Sequence, residues 1–214
     1  YNRGVNKLDI FHNEQDYGIF LSYLKEYLVP KNEKELRERL ANPLTDYKEK
    51  DRILRVLRLN NFSDQITLLA YCLMPNHFHF LIKQASEMAI DKFMNSLGTR
   101  YTMFFNKKEE RIGTLYQDVF KAVSIESDEQ LLYTTAYIHR NSRPKNLASQ
   151  GDALRGWFSQ PSSLPEYLGL RKTEWVHPEE ILSFFSRTNP KLSYRSFVEQ
   201  TDDYSIISKD LIDE

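Results

Sequence analysis

The chain has 214 residues, 41% of them hydrophobic and 28% charged, enough for one soluble domain with a real core; its apolar runs, such as 66–70 and 78–82, fall far short of the roughly 20 residues that cross a bilayer. The net charge of −1 excludes a globally basic coat for nucleic acid, although residues 1–150 hold 22 Lys and Arg against 19 Asp and Glu (+3) while residues 151–214 hold 7 against 11 (−4). One cysteine, Cys72, excludes an internal disulfide and a Cys-rich zinc module.

The opening Tyr1-Asn2-Arg3-Gly4 lacks an initiator Met and any basic stretch leading into an apolar segment. No secretory signal is therefore read, and a cytoplasmic location is the default expectation. Residues 1–6 read as the end of a strand broken by Gly4. From about Asn13, Tyr17, Phe20, Leu21, Leu24 and Leu28 recur at helical spacing until Pro30. Residues 31–61 form a polar, charge-rich excursion in which Pro43 separates two short predicted helices, 33–40 and 47–57. The apolar run 65–74 predicts a buried strand, Pro75-Asn76 supplies turn chemistry, and the alternation over 77–83 predicts its hairpin partner. Cys72 falls inside the first of these and reads as a small buried hydrophobe.

A long amphipathic helix over 87–106 follows, carrying Phe93, Met94, Leu97, Tyr101 and Phe105, before Gly113 breaks the pattern. Residues 115–125 predict another strand, and Ser127 with Gln130 signals the start of a helix running to about Asn141, closed by Pro144. Past about 148, Gly, Ser and Pro mark a boundary, with helices expected at 177–186 and 193–200. The order strand, helix, two strands, helix, strand, helix predicts an α+β fold. Its expected form is a ferredoxin-like (RRM-like) antiparallel sheet with helices on one face over residues 1–147, 31–61 being an insertion, followed by a C-terminal helical extension, 148–214.

Asn76-His77-Phe78-His79-Phe80 is the most informative stretch. On a strand, His77 and His79 point one way while Phe78, Phe80 and Ile82 point the other, so one face can be core and the other a site. Two imidazoles about 7 Å apart along a strand can converge on one divalent ion; two surface histidines are the plain alternative. On the predicted helix after Ser127, Tyr133, Tyr137 and Asn141 are spaced i, i+4, i+8 and form one stripe. A tyrosine with a pKa near 10 needs a metal or a general base to act as a nucleophile, and a structural tyrosine is the alternative.

Taken together, these residues resemble the single-tyrosine HUH transposase family, which comprises the insertion-sequence transposases and the REP-associated tyrosine transposases. The segments that carry the resemblance are Arg3-Gly4-Val5-Asn6, Leu73-Met74-Pro75-Asn76-His77-Phe78-His79, Gly113-Thr114-Leu115-Tyr116-Gln117 and Tyr137-Ile138-His139-Arg140-Asn141, in that order over about residues 1–146. The chain departs from the family pattern after Asn141, where Ser142-Arg143-Pro144 stands in place of an immediate proline.

The resemblance implies that His77 and His79 are catalytic metal ligands, with Asn141 as a third ligand, and that Tyr137 is the nucleophile. The implied ion is Mg²⁺ or Mn²⁺, and the implied substrate is single-stranded DNA with a hairpin beside the cleavage site. Attack by Tyr137 would leave a 5′-phosphotyrosine and a free 3′-OH, so that the reverse reaction can join strands without ATP. Exchange of two ends would need a homodimer or two sequential events. Charge and placement nominate Arg3, Asn6, Arg100, Lys107, Lys108, Arg111 and Lys121 as DNA contacts, against the alternative of solvated surface charge. His139, on another face of its helix, reads as structural or DNA-contacting. The competing functional readings are an inactive nucleic-acid-binding descendant of a transposase and a hydrolase that uses water in place of Tyr137.

Overall fold

The computed structural model describes residues 1–142 and 159–201. The boundary expected near 147–148, together with Arg143, Pro144, Trp157 and Phe158, lies outside the described residues. Three antiparallel strands, β1 (Asn2–Arg3), β2 (Ile66–Met74) and β3 (His77–Gln84), form a sheet in the order β1-β3-β2. Helix α1 (Glu14–Leu28) follows β1, and α2 (Glu33–Ala41) and α3 (Tyr47–Arg58) fill the excursion. Helix α4 (Ala89–Lys108) follows the β2–β3 hairpin, and α5 (Asp128–Arg140) follows a long irregular segment. Short helices α6 (Leu164–Tyr167), α7 (Glu179–Leu182) and α8 (Tyr194–Gln200) complete the described chain. None of the described helices is long and apolar enough to cross a membrane.

Local chemistry sets these bounds. Asn13, Asp46 and Ser127 each accept a backbone N–H at the start of α1, α3 and α5, satisfying a donor that a helix leaves open. Helix α1 stops at Val29, the residue before Pro30, where proline disfavours helical backbone. In β2 a bulge between Leu68 and Ala70 reverses the side-chain parity. Leu68, Tyr71 and Leu73 therefore face one core, whereas Leu69, Ala70 and Cys72 face a second.

The sheet is covered on both sides, which corrects the expectation of helices on one face. Phe20 and Leu24 of α1 and Phe93, Leu97, Tyr101 and Phe105 of α4 close over Phe78 on the first face. Ala136 and Ile138 of α5, with Leu164, Tyr167, Ile181, Tyr194 and Val198 of the extension, close over Leu81 and Cys72 on the second. Two half-buried hydrophobic faces cannot both be left to water, so the bulge in β2 and the second helical layer belong together.

The strand expected over 115–125 is also corrected. Tyr116 makes one antiparallel bridge to Gly4, with Val5 N–H donating to Leu115 O (2.9 Å) and Gln117 N–H to Arg3 O (2.8 Å). Lys121 and Tyr1 then exchange backbone bonds at 2.9 and 2.7 Å. Between these two pairings the register slips, and the Asn2 side chain donates to the carbonyls of Asp118 (3.2 Å) and Val119 (2.5 Å) instead. The predicted strand over 1–6 shortens to Asn2–Arg3 for a related reason: Val5–Lys7 turns as a 3-10 segment with Asn6 at φ 52° and Lys7 at φ 60°.

On the outer edge of β2, Leu73 N–H donates to Pro161 O (2.8 Å) and Ser163 N–H to Tyr71 O (3.0 Å), so the extension caps what would be an exposed edge. It is fixed to α5 by a fully buried polar contact. His139 Nδ1 lies 2.6 Å from Tyr194 Oη and its Nε2 2.7 Å from Ser163 Oγ. Ser163 Oγ also accepts from Tyr71 N–H (2.8 Å) and donates to Tyr71 O (3.3 Å). These bonds close as one chain when neutral His139 carries its proton on Nε2 and accepts from the tyrosine hydroxyl on Nδ1. Of the two roles expected for His139, the structure gives the structural one.

Two predictions follow from this architecture. A Cβ at position 4 would sit 2.1 Å from the Leu8 carbonyl oxygen. Gly4→Ala is therefore expected to cost about 2–3 kcal/mol in chemical denaturation. Burial holds the His139 imidazole down to about 3, so the unfolded chain binds the extra proton and stability is full above pH 6.5 and falls as pH drops toward 3. Between pH 7 and 5 this contribution amounts to about 2 kcal/mol. It is measured as the excess acid sensitivity of the parent over His139→Gln; equal slopes would contradict it.

Candidate active site

The pleat of β3 places His77 and His79 on the side that α5 covers, and both imidazoles are buried. Their ring centroids are 5.0 Å apart with planes at 85°. Tyr137 is brought onto this pair by α5, with its ring 5.7 Å from that of His79 at 83°. Tyr1 stacks on His79, at 5.5 Å and 16°, and meets His77 edge-on at 6.4 Å. His79 thus meets two tyrosine rings, one stacked and one edge-on. A cavity of about 690 Å³ opens beside them, lined by Tyr1, His79, Leu81, Lys121, Thr134 and Tyr137.

The start of α5 is fixed by Ser127 Oγ, which accepts from Gln130 N–H (3.1 Å), while Gln130 Oε1 accepts from Glu126 N–H (2.7 Å). In its first turns Leu131 and Leu132 pack on the second core, and Tyr133 meets Phe197 at 5.6 Å. Tyr133 and Tyr137, one stripe in the sequence, therefore serve different neighbours. Asn141 caps the helix, its N–H donating to Tyr137 O at 3.2 Å. The Asn141 Nδ2 atom is buried and, among the described residues, has no hydrogen-bond partner. Asn141 is placed by the helical turn after Tyr137, whereas His77, His79 and Tyr137 are linked by ring contacts.

A divalent ion fits this donor set. Two buried imidazoles at 5.0 Å and an amide with an unsatisfied buried end are groups that an ion can satisfy, since the oxygen and nitrogen of an Asn are interchangeable by a flip of the amide. Among the described residues no cluster of three or more His, Cys, Asp and Glu could hold a metal.

The nominated cations separate into two groups. The Arg3 guanidinium lies 5.7 Å from the Tyr1 ring, and Lys121 is exposed on the cavity wall with its backbone paired to Tyr1. Asn6 is exposed in the adjoining turn. The remaining four sit on α4 or just past it, on the helical layer opposite the histidines. There Arg100 bonds Glu26 at 2.7 Å and lies 3.7 Å over the Tyr23 ring. Lys108 grips both oxygens of fully buried Asp16 at 2.8 and 2.9 Å; that hydrogen bond holds the ammonium above its ordinary pKa. Arg111 contacts Asn106 at 3.5 Å, and Lys107 is exposed. Sequence reasoning did not single out Tyr1, which carries no motif of its own, or the side chain of Asn76, whose place directly before His77 was the available signal.

The family model described as Transposase IS200 like matches residues 36–141. That interval holds both histidines, Tyr137 and Asn141, while Tyr1, Arg3 and Asn6 precede it. Comparison with curated proteins and with solved structures gives no match. Over residues 36–141 the chain belongs to the IS200-like transposase family.

Proposed function

We propose that this protein nicks single-stranded DNA and rejoins it through a covalent 5′-phosphotyrosine on Tyr137, with His77, His79 and Asn141 holding Mg²⁺ or Mn²⁺. The observation that carries the reading is the contact of the Tyr137 ring with His79, itself 5.0 Å from His77, within one chain. When bound, the ion would polarise the scissile phosphate and stabilise charge developing on its oxygens.

The chain's own residues supply the rest. Tyr137 attacks phosphorus, its Oη–P bond forms as the P–O3′ bond breaks, and the phenol proton leaves as the 3′-oxygen takes one up. Reversal by a 3′-OH restores the phosphodiester and frees the tyrosine, so no external energy source is required. The apolar packing of Ala136 and Ile138 holds α5 against the sheet, so the nucleophile arrives already oriented. Lys121 and Arg3, beside the cavity, are suited to neutralise the DNA backbone there. Arg100 and Lys108 already engage Glu26 and Asp16, which favours a structural use of their charge.

A ferredoxin-like arrangement is supported by residues 115–121, which run antiparallel beside β1 and would make the order 115–121, β1, β3, β2. In that reading α1 and α4 are the two helices of the basic fold, and α5 is an addition on the other face. The in-chain contact of Tyr137 with His79 favours an active site completed within one subunit; joining two DNA ends would then use two sequential events or two subunits of a homodimer. A cytoplasmic location is part of this reading, because the proposed reaction needs access to DNA.

Incubation with labelled hairpin-bearing single strands from the genomic flanks, with Mn²⁺ or Mg²⁺, tests the proposal by denaturing electrophoresis. A metal-dependent protein–DNA band is expected, reduced on the order of 10³-fold or more in Tyr137→Phe and in His77→Ala. DNA binding without any such band would favour the inactive descendant. Cleavage persisting in Tyr137→Phe without a covalent band would favour attack by water.

A further inference from the structure

The turn between β2 and β3 is bound to the start of the chain. Gly4 N–H donates to Asn76 O (2.8 Å), and the N–H groups of Ile10 and Phe11 both donate to Pro75 O (2.7 and 2.9 Å). Within this frame the Asn76 side chain bridges two groups. Its Nδ2 donates to the Lys7 carbonyl at 3.4 Å, and its Oδ1 lies 2.5 Å from His77 Nδ1. The orientation of the amide follows from the chemistry of these neighbours. A backbone carbonyl only accepts, so the end of Asn76 facing Lys7 must be the NH₂. The end facing His77 is then the oxygen, which also only accepts, and Nδ1 must bear a hydrogen.

We infer that Asn76 is a positioning residue that fixes neutral His77 as its Nδ1–H tautomer, with the turn that ends at Lys7 as its buttress. A neutral imidazole has one N–H and one lone pair, so a proton held on Nδ1 reserves the Nε2 lone pair for the site. Orientation of a ligating histidine through its second nitrogen is how proteins commonly set tautomer and ring angle, and loss of such a partner typically costs about 10–100-fold in metal affinity. The consequence for metal binding rests on the function proposed above; the tautomer itself does not. The left-handed backbone of Asn6 and Lys7 (φ 52° and 60°) thereby gains a purpose, because this turn aims the Lys7 carbonyl at the amide.

The test reads the tautomer directly. In protein labelled with ¹⁵N-histidine, long-range ¹H–¹⁵N correlation at pH 8 without metal distinguishes a protonated from an unprotonated ring nitrogen, and loss of the signal in His77→Gln assigns His77. The Nδ1–H form is expected in the parent protein and in Asn76→Asp, whose carboxylate keeps the acceptor, and a shift toward the Nε2–H form is expected in Asn76→Leu. Mn²⁺ titration should show affinity reduced about 10–100-fold in Asn76→Leu and largely restored in Asn76→Asp. An Nε2–H form in the parent, or an unchanged Nδ1–H form in folded Asn76→Leu, overturns the inference. If Asn76→Leu does not fold, the parent and Asn76→Asp spectra still decide it. An Nδ1–H parent that binds no Mn²⁺ leaves the positioning intact and counts against the metal reading alone.

Discussion

β3 is gripped along both of its edges, by β2 over its whole length and by β1 at His77 and Phe78, and its pleat therefore cannot rotate. With Phe78 buried in the aromatic cluster of Phe20 (5.1 Å) and Tyr116 (6.0 Å), the neighbouring residues on either side of it are forced to the opposite face. A slip of one residue in the pairing would exchange Phe78 and Phe80 for His77 and His79, burying imidazoles in an apolar core and exposing the phenyl rings. Core formation on one side of the sheet and construction of a polar site on the other are thus one constraint, written twice in the same five residues.

The second face needs a cover, and α5 supplies it while carrying Tyr137. That helix is held from below by Ala136 and Ile138 and from behind by the His139 bonds to Tyr194 and Ser163. Ser163 in turn follows the segment that pairs with the edge of β2. The extension thereby reaches both the strand neighbouring the histidines and the helix bearing the tyrosine. In the proposed reaction it has no direct part, yet it governs how firmly nucleophile and metal ligands are set against each other. Such rigidity is what a reaction based on positioning requires, because a displacement of an ångström at the nucleophile sacrifices much of the benefit of proximity.

The features that proved legible in the sequence are those with strict periodicity. Alternation over β3 separates His77 and His79 from Phe78 and Phe80, as the ring contacts and the core on the opposite face show. Helices α1 to α5 were readable to within two residues, four of them because an Asn, Asp or Ser cap opens them and α4 from its long apolar period. The strand expected over 115–125 failed for a physical reason that propensity cannot express: the Asn2 amide takes up the carbonyls of Asp118 and Val119 and substitutes for ladder bonds. Two-sided coverage of the sheet was hidden because it depends on a bulge at Leu69, which looks like one more apolar residue in an apolar run. The stacking of Tyr1 on His79 and the Asn76 bridge are contacts between segments distant in sequence or set by a turn's geometry, and neither leaves a period to read. Lys108, nominated as a DNA contact, has buried Asp16 as its partner in the fold, a pairing that no sequence period reveals.

The proposed reaction requires that Tyr137, among 13 tyrosines, forms the bond to DNA. Tryptic digestion of the trapped protein–DNA adduct followed by fragmentation mass spectrometry tests it directly, because Tyr137 and Tyr133 share the peptide 122–140 and Tyr1 falls in the peptide 1–3. A nucleotide remnant is expected on Tyr137 alone, formed only with the divalent ion present. A remnant on Tyr133 or on Tyr1, the tyrosine that stacks on His79, would contradict it.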